Sequence, residues 1–294
     1  MTKPFGTVLT AMVTPMHEGG AIDLAASQAL ARYLVSRGCD GLVLSGTTGE
    51  APTTHAPEKV DLLRAVREAV GPDITILTGA GSNDTAHAVR MAEQGEENGA
   101  DGILALTPYY SKPSQAGLVA HFRAILGATD LPVMIYDIPG RTAMPVSDWA
   151  LDELAPHPRI VAVKDATGNV QQAAERIART GLAWYSGDDP LTLDFLRVGA
   201  VGVVSVSSHV ASREIAAMIA AFEAGDDAEA TRIHEALAPV HASIFNGPGA
   251  TNAKSAMHWA GVIPSRAMRL PLLPASDAEY VALTAALEAA GMTR

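Results

Sequence analysis

The chain has 294 residues, 48% hydrophobic and 18% charged, a globular composition with ample apolar matter for one large domain. Its formal net charge of −11 and the lack of any basic run argue against a nucleic-acid surface, and no apolar stretch reaches bilayer-spanning length. The single cysteine, Cys39, excludes an internal disulfide and reads as a small buried residue at a strand start, in keeping with a reducing cytoplasm.

The opening segment MTKPFGTVLTAMVTP has neither the apolar core nor the cleavage site of a signal peptide, so none is expected. Thr7–Pro15 reads as a first strand. Asp23–Gly38 is a helix that opens on an N-cap aspartate and stops at glycine. Gly41–Glu50 (GLVLSGTTGE) is a second strand running into a turn, and Ala56–Gly71 a helix with Pro57 near its start and Gly71 after its end. Ile74–Asn83 and Gly102–Tyr110 are strands three and four, followed by helical segments in Asn83–Ala100 and Ser114–Thr129. Pro132–Thr142, Ile160–Asn169, Leu182–Asp189 and Val201–His209 supply four more strands.

Each run is apolar on both faces, which suits a parallel sheet covered on both sides. Eight evenly spaced strand–helix units favour an α/β fold closed as a (β/α)8 TIM barrel over an open doubly wound sheet. The barrel is expected over residues 1–224. Residues 225–294 read as a C-terminal helical extension packed on it, with helices in Asp226–Phe245, Thr251–Gly261 and Asp277–Gly291.

The sixth run, RIVAVKDATGN, contains the residue least suited to a buried strand. Of the five lysines, Lys3, Lys59, Lys112, Lys164 and Lys254, only Lys164 ends a barrel strand. Side-chain alternation places Ile160, Ala162 and Lys164 on one face, and the small Ala162 leaves room beneath the lysine. C-terminal strand ends line the active site in this architecture. An ordinary lysine, with pKa ~10.4, is neutral in about one molecule in a few thousand at pH 7. Desolvation can raise that fraction roughly a hundredfold or more, enough for attack on a carbonyl. Lys164 therefore reads as a Schiff-base lysine, the alternative being a rim lysine paired with Asp165.

Other strand ends agree. GTTGE (Gly46–Glu50) presents two hydroxyls and backbone N–H groups before a helix, a fit for a small carboxylate. YDIPGRT (Tyr136–Thr142) offers a phenol that can relay protons and a guanidinium, Arg141, that can clamp a carboxylate. TPYYSKP (Thr107–Pro113) puts two tyrosines in a rim loop. Singly, each is an ordinary turn, cap or contact; together, at successive strand ends of one barrel, they are far more specific. GAGSN (Gly79–Asn83) lacks dinucleotide-loop spacing. The nine histidines hold no close ligand set, His234 and His241 lying two helical turns apart. No metal and no organic cofactor are expected. Lys254 lies beyond the eighth strand and is set aside as a candidate.

With GTTGE, TPYYSKPSQ, YDIPGRT, VAVKDATG and YSGDD in hand, nearly the whole chain resembles the pyruvate-dependent superfamily that contains dihydrodipicolinate synthase and N-acetylneuraminate lyase. The motifs are similar to the former branch. The resemblance implies a Schiff base between Lys164 and pyruvate, with no other cofactor. It implies proton relay by Tyr136, Thr48 and Tyr110, the last reaching across a subunit contact, and pyruvate-pocket positions at Thr47, Gly187 and Val204. Arg141 matches the residue that holds the carboxylate of L-aspartate 4-semialdehyde. Lyases of sugar acids lack it, so Arg141 discriminates a synthase of the diaminopimelate route to lysine from a sugar-acid aldolase. A catalytically silent barrel is the third reading, disfavoured by intact Lys164, Tyr136, Thr48 and Arg141.

A homotetramer of paired dimers is also implied. NGPGATNAK (Asn246–Lys254) departs from the family's N-P-x-P-x-K, a change expected to bear on assembly and not on the reaction. Feedback inhibition by lysine is expected to be weak or absent. The effector positions match Ala56, Lys59, Asn83, His87 and Tyr109, where His87 supplies no carboxylate and Lys59 adds a cation.

Overall fold

The computed structural model describes residues 2–293; Met1 and Arg294, the outer ends of the two expected segments, lie outside it. Eight strands form one closed parallel barrel in chain order: β1 (Val8–Ala11), β2 (Gly41–Leu44), β3 (Thr75–Gly79), β4 (Gly102–Leu106), β5 (Val133–Asp137), β6 (Ile160–Asp165), β7 (Ala183–Ser186) and β8 (Gly202–Ser205). Closure is made by β1, which pairs with β2 on one side and β8 on the other. Around the barrel run α1 (Leu24–Ser36), α2 (Ala56–Val70), α3 (Thr85–Glu97), α4 (Gln115–Gly127), the single turn α5 (Pro139–Thr142), α6 (Asp148–Leu154), α7 (Val170–Thr180), α8 (Thr192–Arg197) and α9 (Ser208–Glu223). Three further helices follow, α10 (Asp227–Phe245), α11 (Gly249–Trp259) and α12 (Asp277–Ala289).

The helices start where the sequence supplies caps. Asp23 accepts from Ala26 N–H at 2.9 Å, Asp84 from Ala86 N–H at 3.0 Å and Asn169 from Gln172 N–H at 3.0 Å. Each satisfies a donor that the first helical turn would leave free.

Apolar residues separate into an interior and two outer cores. The interior holds Leu9, Val43, Leu77, Leu104, Met134, Ala162 and Val204. One outer core joins α3, α4, α6, α7 and α8 to the barrel wall. The other joins α1, α2 and α9 to Leu237, Val240, Met257 and Leu283 of the last three helices, so the extension shares apolar packing with the barrel.

The N-terminal end of the barrel is closed by Phe5 and Tyr185, whose rings lie 6.5 Å apart. The Tyr185 hydroxyl donates to Gly6 O at 3.0 Å and accepts from Phe5 N–H at 3.2 Å. A Cβ on Gly102 would stand 2.7 Å from the Phe5 ring, so the start of β4 admits no side chain beside this plug. With the floor filled, the open mouth lies at the C-terminal strand ends.

The expected alternation in β6 fails at one place. Val133 pairs with Ile160, but the next residue, Met134, pairs with Ala162. Val161 is thus an extra residue, a β-bulge. Ile160 joins Val163 in the outer core, while Ala162 faces the interior. Ile160 does not share a face with Ala162 and Lys164; the bulge shifts the strand's phase by one residue just before the lysine. Cys39 is buried just before β2, as expected, and burial pushes its thiol up to about 11.

Candidate active site

Lys164 lies at the inner mouth of the barrel and is 5% exposed. It pairs in register with Tyr136 of β5 and Tyr185 of β7, and its Nζ sits 4.0 Å from the centre of the Tyr136 ring. No acid forms an ion pair with it among the described residues, and the rim pairing with Asp165 is not made. Asp165 instead accepts from Trp184 Nε1–H at 2.9 Å and from Thr167 N–H at 2.9 Å. Burial lowers the Lys164 ammonium to about 7; the Asp189 carboxylate opposes this and Arg141 adds to it.

Gly187 explains how the lysine stem fits. Its N–H donates to Asp165 O at 2.7 Å, and a Cβ there would stand 3.1 Å from Lys164 Cγ and 3.0 Å from both Asp165 O and Ala166 Cβ. Val204 lies in the interior cluster together with Tyr136 and Ala162.

Tyr136 is buried, and burial raises its phenol to about 12; Arg141 and a hydrogen bond with the Thr47 hydroxyl pull it back down. The resemblance assigned proton relay to Thr48 and the pocket to Thr47. The threonine that lines the cavity beside the phenol and acts on it is Thr47. Thr48 is buried. Thr47 and Tyr136 share a cavity of about 50 Å³ with Tyr109, Gly81 and Leu106. Arg141 stands in α5 with its side chain exposed, near enough to act on both Tyr136 and Lys164.

Tyr110 is not brought to this group within the chain. It is 88% exposed in the left-handed region, with φ 71°.

Three groups escaped sequence reading. Asp189 is buried and accepts from Val206 N–H at 2.9 Å, from Ser207 N–H at 3.3 Å and from the Ser205 hydroxyl. It anchors the end of β8 and is the acid whose charge reaches Lys164; the second aspartate of YSGDD was its only signal.

Glu50, the last residue of GTTGE, and Lys254 of α11 are both fully buried and ion-paired. Lys254 Nζ also donates to Ala267 O at 2.8 Å, and Glu50 accepts from Arg269 N–H at 2.9 Å. Burial pushes the Lys254 ammonium below the ordinary lysine range, and Glu50 opposes that push. The segment expected to matter for assembly alone therefore reaches the turn after β2.

Of the effector positions, Lys59 is nearly buried, with Nζ 3.6 Å from Met91 Sδ. Burial lowers its ammonium, Glu58 partly opposing. Glu58, the neighbour of Lys59, is held by Arg269, whose second guanidinium nitrogen donates to it at 2.7 Å. No cluster of three or more His, Cys, Asp or Glu suited to a metal occurs among the described residues.

The model of the dihydrodipicolinate synthetase family matches residues 4–290. The chain is 51% identical to the 4-hydroxy-tetrahydrodipicolinate synthase of Bifidobacterium longum over 292 residues, 99% of this chain and 96% of that protein. It is 52% identical over 291 residues to the enzyme of that name from Kineococcus radiotolerans, covering 99% of this chain and 94% of that protein. The fold is similar to that of a dihydrodipicolinate synthase from Bacillus anthracis, with a TM-score of 0.94 and 42% identity, over 98% of this chain and 99% of that one.

Proposed function

The chain belongs to the dihydrodipicolinate synthetase family, and from that premise we propose that Lys164 carries the pyruvate chemistry of a 4-hydroxy-tetrahydrodipicolinate synthase reaction. The observation that carries this reading is the Lys164 amine itself: 5% exposed at the end of β6, 4.0 Å over the Tyr136 ring, and depressed to about 7 by burial. About half of such amines are neutral near pH 7, against one in a few thousand for a free lysine.

The neutral amine attacks the keto carbon of pyruvate, and water leaves to give the imine. Loss of a methyl proton turns the imine into an enamine, whose carbon attacks the aldehyde of L-aspartate 4-semialdehyde. The semialdehyde's own amine then attacks the imine carbon, closing the ring and returning Lys164 as a free amine.

Tyr136 and Thr47 are placed to move the protons of these steps. Thr48, Gly187 and Val204 form the pyruvate pocket, and Arg141 holds the semialdehyde carboxylate. These steps call on no metal or organic cofactor. A homotetramer of paired dimers, with Tyr110 completing the relay across a dimer contact, accounts for an aromatic ring left in solvent beside the mouth.

Borohydride reduction in the presence of pyruvate tests the reading. A reduced pyruvyl adduct is expected on the peptide containing Lys164, found by mass spectrometry. An adduct on Lys254, or none, would sink it.

A further inference from the structure

We infer that Lys254 is a positioning residue for this reaction: through Glu50 it holds the turn that presents Thr47 and Thr48 to Tyr136 and Lys164. The inference deepens the function proposed above and rests on it.

The turn is an unusual piece of backbone. It is bracketed by two non-glycine residues in the left-handed region, Ser45 with φ 53° and Glu50 with φ 58°. Such conformations persist where the surroundings over-determine them. Its internal bonds are few: Glu50 N–H to Thr47 O at 3.1 Å and Ala51 N–H to Gly46 O at 3.2 Å. The rest of the restraint comes from outside. Thr14, just after β1, donates its hydroxyl to Gly49 O at 2.8 Å. The Glu50 carboxylate takes Lys254 Nζ and the Arg269 N–H. The Arg269 side chain in turn reaches Gly20 O at 2.7 Å and Thr53 O at 2.7 Å. The C-terminal segment thus grips the turn at Glu50 and again three residues later.

A fully buried ion pair is a poor device for stability alone, since apolar replacements of similar volume often do as well or better. What it supplies here is direction. Two charged groups with 0% side-chain exposure have few geometries open to them, and Glu50 is only two residues from Thr48. Small displacements of groups that position a substrate can cost about a hundredfold in rate.

The double variant Lys254→Met with Glu50→Gln removes both charges and leaves no orphan ion, so it is expected to fold. Wild type and variant are compared by circular-dichroism melting, by borohydride trapping of pyruvate, and by steady-state kinetics across pH. The expected result is a folded variant with kcat/KM for pyruvate lowered roughly tenfold to a hundredfold. The pH profile of its kcat is displaced as well. A role in stability alone would move the melting temperature and leave kcat/KM and the pH profile of the folded protein unchanged; that result overturns the inference. Should the double variant not fold, Glu50→Asp alone decides it, since it keeps a carboxylate for Lys254 and Arg269 N–H and shortens only the arm that holds the turn. Kinetics within about twofold of wild type would then overturn the inference. Failure of the wild type itself to trap pyruvate would strike at the proposed function instead.

Discussion

A lysine in the mouth of a barrel has an energetic signature as well as a chemical one. In the unfolded chain Lys164 titrates near ~10.4; in the fold, burial brings it to about 7. Between those values the unfolded state binds the extra proton, so stability rises with pH across the window and the full penalty is felt below it. Lys164→Met should therefore raise the melting temperature by several degrees near neutral pH. The gain should vanish above about pH 10.5, where both states carry a neutral amine. The same titration governs rate. Imine formation with pyruvate, followed by timed borohydride trapping, should fall as pH drops through about 7 and stay flat above it. An inflection near the ordinary lysine value would show that the amine is not desolvated in solution.

At the scale of single elements, the turn after β2 divides labour between adjacent threonines. Thr47 lines the same cavity as Tyr136, so Thr47→Val should lower kcat about a hundredfold, the lower end of what general acid–base catalysis supplies. Thr48→Val should instead raise KM for pyruvate about tenfold, the loss of one hydrogen bond to a charged group. The reverse pattern in steady-state kinetics would return the relay to Thr48.

Strand and helix order was legible, because strands covered on both faces leave unbroken apolar runs that no surface strand has. Lys164 was legible because a charge cannot hide in such a run. Which threonine faces the phenol was not, since GTTGE does not disclose the left-handed kinks at its ends. The bulge at Val161 was equally hidden: IVAVK reads alike with or without an extra residue. Lys254 looked idle because its partner lies 204 residues away, a distance no local pattern spans.

For the whole molecule, the exposed Tyr110 is where the proposed pairing of chains can be tested. A large ring 88% exposed, in a left-handed conformation and beside the mouth, is placed for a second copy to cover. Tyr110→Ala should lower kcat tenfold or more while leaving the melting temperature of the chain within a few degrees. Sedimentation velocity of the wild type should show an oligomer throughout the active concentration range; a fully active monomer would refute the shared site.

Barrel closure also sets a timetable. β1 leaves the ribosome before the other seven strands, yet one of its two neighbours, β8, is the last of the eight: Val203 N–H must reach Thr7 O, 2.8 Å away in the finished fold. At roughly 5–20 residues per second, synthesis separates the two by about ten to forty seconds. Through that interval β1 exposes an unpaired edge to every other nascent chain nearby. The strand that seals the barrel is also the one whose wait leaves the growing polypeptide most open to misassociation.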